Sequence, residues 1–167
     1  RATNLHKILR GGGQEMSIRP GTLNVAGAAG TAAVLTEASR EMEAERARLS
    51  GLRDRLLSFI KREIPDSLIH TADPALPGHV HVSFPGAEGD SLIMLLDQAG
   101  FDASTGSACA AGVNRVSHVV MAIGVEPVAA RGTLRFTLGR PTSEDDVAAL
   151  EAVLPKIVEQ ARAAGMA

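Results

Sequence analysis

The chain has 167 residues, 45% of them apolar and 22% charged, and a formal net charge of −2, the composition of a globular domain with room for one core. That charge argues against a nucleic-acid or anionic-membrane surface. With no Trp or Tyr and only 4 Phe, a stacking platform for bases or sugars is excluded, and no run approaches the ~18 apolar residues of a membrane span. The single cysteine, Cys109, rules out an intrachain disulfide or a cysteine-based zinc site and fits a reducing, cytoplasmic compartment. The chain begins at Arg1 without a signal-peptide pattern and reads as a piece of a longer protein.

In chain order, residues 1–22 read as irregular, because Gly11-Gly12-Gly13 is costly inside any regular element and Pro20-Gly21 marks a turn. Residues 24–40 are alanine-rich, and Ala26, Gly27, Gly30 and Ala33 would let a helix lie close against another element. Leu49, Leu52, Leu56, Phe59 and Ile60 recur at three and four, which predicts an amphipathic helix over 41–64 stopped by Pro65-Asp66. Ser67–His70 is a candidate strand. His79–Phe84 is a clearer one, with Val80, Val82 and Phe84 on one face and His79, His81 and Ser83 on the other. After a turn at Ala87–Gly89, a helix capped by Asp90 or Ser91 is expected through Gln98, with Gly100 beyond its end. Phe101–Ser104 reads as a short strand, 105–115 as a loop of small residues, and Ser117–Ile123 as a short helix ended by Gly124. Thr133–Leu138 reads as a strand. A last helix starts at Ser143 with Asp146 as an acidic capping box, and Pro155 inside it is expected to kink it or free one carbonyl. This order predicts an α/β fold of the α+β sort, a small sheet with helices packed mainly on one face.

A lone cysteine is ordinarily buried apolar filler. Cys109 instead lies in Thr105-Gly106-Ser107-Ala108-Cys109-Ala110-Ala111-Gly112, which has almost no bulk, so a mobile loop with an accessible, nucleophilic thiol is expected. Arg135 shares one strand face with Thr137, opposite Leu134, Phe136 and Leu138. It is either a solvated position or a planar fork held rigidly for a carboxylate. Thr22, after Pro20-Gly21, could offer its hydroxyl to a phosphate near a helix start. The glycine run lacks P-loop spacing. His79 and His81, spaced by two, read as a solvated strand face rather than a metal pair. The acidic runs at 41–45 and 144–146 read as solvated helix faces and helix starts. The only lysines are Lys7, Lys61 and Lys156.

Five stretches occur in a fixed order: Gly11-Gly12-Gly13-Gln14-Glu15, Arg19-Pro20-Gly21-Thr22, Glu88-Gly89-Asp90-Ser91-Leu92, Ser107-Ala108-Cys109 and Leu134-Arg135-Phe136-Thr137-Leu138-Gly139-Arg140. Together they resemble the C-terminal part of the NifS/IscS-like cysteine desulfurases, pyridoxal-phosphate enzymes of aminotransferase class V. The resemblance covers essentially the whole chain. It implies the small C-terminal domain of a fold-type I pyridoxal-phosphate enzyme, with residues 1–22 connecting to a large cofactor domain and 23–167 forming the small domain.

The same resemblance implies a homodimer that converts L-cysteine to L-alanine. Cys109 would carry the sulfur as a persulfide, Arg135 would grip the substrate carboxylate, and Thr22 would reach the cofactor phosphate of the other subunit. The sulfur acceptor would be an iron–sulfur scaffold protein, with Cys109 also able to ligate a transient shared [2Fe-2S] cluster. Ala110 stands where the family usually has a hydroxyl residue, which removes a local hydrogen bond but not the nucleophile. None of the three lysines lies in the family's Ser-x-His-Lys setting, so this chain alone is expected to be inactive. Two other readings stay open: a class V aminotransferase fragment in which the cysteine is incidental, and a stand-alone sulfur-acceptor or scaffold-binding module.

Overall fold

The structure, a computed structural model, describes residues 5–106 and 116–165. They divide into two compact units, up to Met42 and from Glu43 onward.

In the first unit, Gln14 and the three residues after it form a tight turn, a short helical turn at Glu15–Ser17 with positive φ at Glu15, Met16 and Ser17. Non-glycine residues adopt this left-handed region at a cost. The turn is braced by Gln14, whose Oε1 accepts from the Gly21 N–H at 3.2 Å. Asn24 then starts helix α1 (Val25–Glu63), its Oδ1 accepting from the Gly27 N–H at 2.9 Å. The helix is continuous where the sequence pattern suggested two stretches. Ala26, Gly27, Gly30 and Ala33, expected to sit close against another element, are exposed.

The second unit is built on a four-stranded antiparallel sheet of order β1-β2-β4-β3, with β1 Leu68–Ile69, β2 His79–Ser83, β3 Ser104–Thr105 and β4 Thr133–Thr137. Helices α2 (Gly89–Gln98), α3 (His118–Ala122), α4 (Pro127–Ala130) and α5 (Glu144–Gly165) complete it. The apolar face of β2 and β4 carries Val80, Val82, Leu134 and Phe136. These cluster with Leu49, Leu52, Leu56 and Ile60 of α1, Leu92 and Leu96 of α2, and Val147, Leu154, Ile157 and Val158 of α5. Three helix stripes thus bury one face of the sheet, as the alternation of period two against 3.6 requires.

Charged residues hold the edges of this core. Arg55 pairs bidentately with Glu151 at 3.1 and 2.7 Å, joining α1 to α5. Arg48 is held by Glu45 and donates to the carbonyls of Thr142, Gly139 and Arg140, which fixes the connection from β4 into α5. Arg162 donates to the carbonyls of Pro85 and Pro65. The expected capping box at α5 is formed: the Ser143 N–H and hydroxyl both donate to Asp146, and the Asp146 N–H donates back to Ser143 Oγ.

Several boundaries differ from expectation. Helix α2 starts at Gly89 with Glu88 as its cap residue and no side-chain cap; Asp90 lies in the first turn, where its charge suits the helix dipole. The third strand is Ser104–Thr105 rather than 101–104, so Thr105 belongs to the sheet and not to the loop. Helix α4 was not anticipated, although Pro127 at its first turn is a helix-start signal.

Gly132 has a steric role. A Cβ there would overlap the carbonyl oxygen of Phe84, whose own N–H donates to the Gly132 carbonyl at 2.9 Å. The backbones of the two segments therefore touch where β2 ends and β4 begins. Gly132→Ala is expected to destabilise the fold by about 2–4 kcal/mol, whereas Gly51→Ala, where a Cβ meets open space, should be neutral or stabilising. Urea unfolding of both variants checks this.

Candidate functional site

The other face of the sheet is polar. The register sets His81 directly opposite Arg135, and Arg135 opposite Ser104. At the end of β1 the His70 N–H donates to the His81 carbonyl at 2.9 Å, which continues the row outward. One row of His70, His81, Arg135 and Ser104 therefore crosses all four strands. The neighbouring rows pair Ser83 with Thr133 and His79 with Thr137. In an antiparallel pair, directly opposite side chains share a face and lie in contact range.

Behind Arg135 runs a directed chain of hydrogen bonds. The Thr133 hydroxyl donates to the Ala130 carbonyl at 2.8 Å. Its oxygen must then accept from Ser83 Oγ, 2.6 Å away. Ser83 Oγ in turn accepts from His70 Nε2 at 2.7 Å. With one proton per hydroxyl, the direction is forced and His70 carries its proton on Nε2. Ser83, expected on a solvated face, is fully buried, and Thr133 nearly so.

The His70 and His81 rings lie 5.2 Å apart, and those of His79 and His81 6.2 Å apart. Burial lowers the His70 pKa. Burial, followed by the charges of His70, His79 and Arg135, pushes His81 down to about 4. At neutral pH His81 is therefore an uncharged imidazole beside a guanidinium. Arg135 is half-buried and, among the described residues, makes no ion pair or side-chain hydrogen bond. Burying a guanidinium's charge unpaired is unfavourable, so a half-buried Arg135 favours an anionic partner.

Of the residues singled out in the sequence, Arg135 stands on this face. Cys109 lies outside the described residues. Residues before and after it in the chain are described: the Gly106 N–H donates to the Thr133 carbonyl at 3.1 Å, and a Cβ at Gly106 would lie 3.0 Å from Thr133 Cγ2 and 3.6 Å from Ser117 Cβ. Gly106 thus lies close to both Thr133 and Ser117. Thr22 is exposed in the first unit, ahead of the Asn24 cap. Among the described residues no group of three His, Cys, Asp or Glu could hold a metal ion. Lys61 on α1 and Lys156 on α5 are exposed on helices, and Lys7 is exposed in the first unit. The second unit's lysines, Lys61 and Lys156, sit on helices α1 and α5 and not on the strands of the polar face, so those strands supply no lysine to a Schiff-base cofactor. Sequence reasoning missed His70, Ser104 and Thr133. Only the alternation around Arg135 hinted at Thr133, and nothing local marked His70.

Removing one link should expose the coupling. Ser83→Ala leaves the buried Thr133 oxygen and the His70 N–H without their partners and is expected to cost about 1–3 kcal/mol. His81 and His70 resist protonation in the fold, so as pH falls from about 6.5 toward about 4 the unfolded chain takes up protons that the folded chain refuses. Stability is whole above that window and declines within it. Thermal melts at pH 7 and 4.5 check the sign, and His81→Asn should flatten the slope.

Comparison with known proteins matches residues 6–150 to the aminotransferase class-V family model. The chain is 48% identical over 162 residues to an IscS-like cysteine desulfurase of Mycobacterium tuberculosis, covering 96% of this chain and 41% of that protein. It is 39% identical to cysteine desulfurase IscS 1 of Archaeoglobus fulgidus, covering 95% and 41%. Among solved structures, a NifS-like protein superposes with a TM-score of 0.77 at 30% identity, covering 92% of this chain and 39% of that one. A NifS-like protein from Rickettsia africae, at 23% identity, shares the fold with a TM-score of 0.78 over 94% and 41%. The chain spans about two-fifths of the length of these curated relatives. Its match over most of its own length makes it a member of the aminotransferase class-V family.

Proposed function

We propose that this chain is the C-terminal segment of a cysteine desulfurase. The observation that carries the reading is its 48% identity to an IscS-like cysteine desulfurase across nearly the whole chain, and the unpaired Arg135 on the polar sheet face is consistent with it. In this reading Arg135 forks onto the carboxylate of L-cysteine, and Cys109 takes the sulfur. The exchange balances without an outside oxidant: L-cysteine and the Cys109 thiol become L-alanine and the Cys109 persulfide. The C–S bond of the substrate breaks, an S–S bond forms, and the proton freed from sulfur ends on carbon.

Pyridoxal phosphate, implied by the family, supplies the electron sink for that bond cleavage. The strands of the polar face offer it no lysine, and this reading assigns only Thr22 to its phosphate, from the other subunit of a homodimer. Residues 1–22 serve as the connection to a cofactor domain and 23–167 as the small domain. Cys109 then delivers sulfur to an iron–sulfur scaffold protein in the cytoplasm and can ligate the [2Fe-2S] cargo as it forms. No helix among the described residues is long and apolar enough to cross a membrane.

In the full-length enzyme, Cys109→Ser should abolish persulfide formation, read by mass spectrometry of the protein after L-cysteine is added. Arg135→Ala should lower kcat/KM for L-cysteine roughly 10- to 150-fold, the worth of a charge-assisted bidentate pair, and Arg135→Lys should recover only part. The 167-residue chain titrated with pyridoxal phosphate should give no saturable visible band that borohydride fixes to one lysine. Wild-type kcat/KM in Arg135→Ala would remove the carboxylate role, and transamination without persulfide would favour an aminotransferase.

A further inference from the structure

Arg135 is flanked on the polar face by one residue from each neighbouring strand, His81 on β2 and Ser104 on β3. Both flanking side chains are half-buried. Neither is a carboxylate, although a half-buried arginine is ordinarily matched by one. Elsewhere in this unit Arg48 has Glu45, Arg53 has Asp54, Arg55 has Glu151 and Arg131 has Glu88, and the half-buried Arg162 is held by the carbonyls of Pro85 and Pro65. Against that background the position opposite Arg135 is the exception.

We propose that His81 is a positioning residue for Arg135: it occupies the cross-strand place from which a carboxylate would capture the guanidinium, and by filling that place with a side chain that is not an acid it leaves the charge free for an incoming carboxylate. The inference rests on the reading of Arg135 as the substrate-carboxylate seat and deepens it. His81 is itself fixed from several sides. The His70 ring from the end of β1 and the His79 ring on β2 pack against it, and its N–H donates to Thr71 Oγ1 at 2.8 Å. His70 is in turn tied to Ser83. The titratable and charged groups facing His81 are thus His70, His79 and Arg135, with no acid among them. The lowered His81 pKa agrees with this, since a second cation next to the guanidinium is unfavourable.

An isosteric pair of variants in the full-length enzyme tests the proposal. His81→Asn keeps an uncharged polar group opposite Arg135. His81→Asp has the same shape but supplies the missing carboxylate and should close the seat from within. The expected result is a rise of about tenfold or more in KM for L-cysteine in His81→Asp, with kcat changed far less, and a matching weakening of propionate binding measured by calorimetry. His81→Asn should stay within about threefold on both readouts, because the guanidinium remains unpaired. If Asn and Asp behave alike, His81 does not govern the charge of Arg135 and the proposal is overturned. Should His81→Asp fail to fold in a thermal melt, His81→Ala takes its place. In that variant the guanidinium also stays unpaired, so KM should stay within about threefold, whereas His81→Glu, which again supplies a carboxylate, should raise KM about tenfold or more at similar kcat; equal KM values in His81→Ala and His81→Glu overturn the proposal. Arg135→Ala in the same assays separates the two levels. If it keeps wild-type affinity for propionate and L-cysteine, the reading of Arg135 itself is wrong. If it loses both while Asn and Asp at position 81 are indistinguishable, only the role of His81 falls.

Discussion

The pairing of β2 with β4 is the constraint on which the second unit depends. Five residue pairs, His79 with Thr137 through Ser83 with Thr133, set the register. A slip by one residue would turn every side chain to the wrong face. Val80, Val82, Leu134 and Phe136 would leave the helix-covered core, and His81 and Arg135 would enter it. Burial of those four apolar side chains, each worth about 1.5–3 kcal/mol, therefore also aims the polar face. The core and the candidate site are two sides of one ladder. Gly132 allows the ladder to begin, because any side chain there would collide with the Phe84 carbonyl.

The polar side is organised rather than simply wet. The chain from His70 through Ser83 and Thr133 to the Ala130 carbonyl ties β1, β2, β4 and the end of α4 into one network. No buried side-chain polar atom among the described residues is left without a partner. Thr133 also accepts, through its carbonyl, the N–H of Gly106, a described residue ahead of Cys109 in the chain. Among the described residues Arg135 makes no ion pair or side-chain hydrogen bond, while Arg48, Arg55, Arg131 and Arg162 are committed to carboxylates or carbonyls.

The long periodic elements were legible in the sequence. The stripe Leu49, Leu52, Leu56, Ile60 and the alternation in β2 and β4 carry their burial in their spacing, and Ser143 with Asp146 announces the start of α5. Short elements were less so. β3 has two residues and exists because β4 offers it an edge, which no local pattern states. α4 has four residues, too few for a period, and only Pro127 marks it. The site was half legible. Arg135 could be found because it interrupts an apolar alternation. His81 was seen but read as solvated, since its burial comes from His70 and from the sheet's edge, contacts that are distant in sequence. The polar network required the register, which joins residues about fifty positions apart such as Ser83 and Thr133. The fixed order of the Gly-Gly-Gly-Gln-Glu, Ser-Ala-Cys and Leu-Arg-Phe-Thr-Leu-Gly-Arg stretches is a different kind of signal, and it pointed to the family that the comparisons then found.

The most direct measurement is a crystal structure of the full-length enzyme containing this chain, with L-alanine bound as the product. The account predicts that the alanine carboxylate lies on the polar sheet face in a bidentate contact with the Arg135 guanidinium at about 2.7–2.9 Å, with the His81 ring alongside and no protein carboxylate on Arg135. A carboxylate held elsewhere, with Arg135 paired to an acidic side chain of the protein, would contradict it.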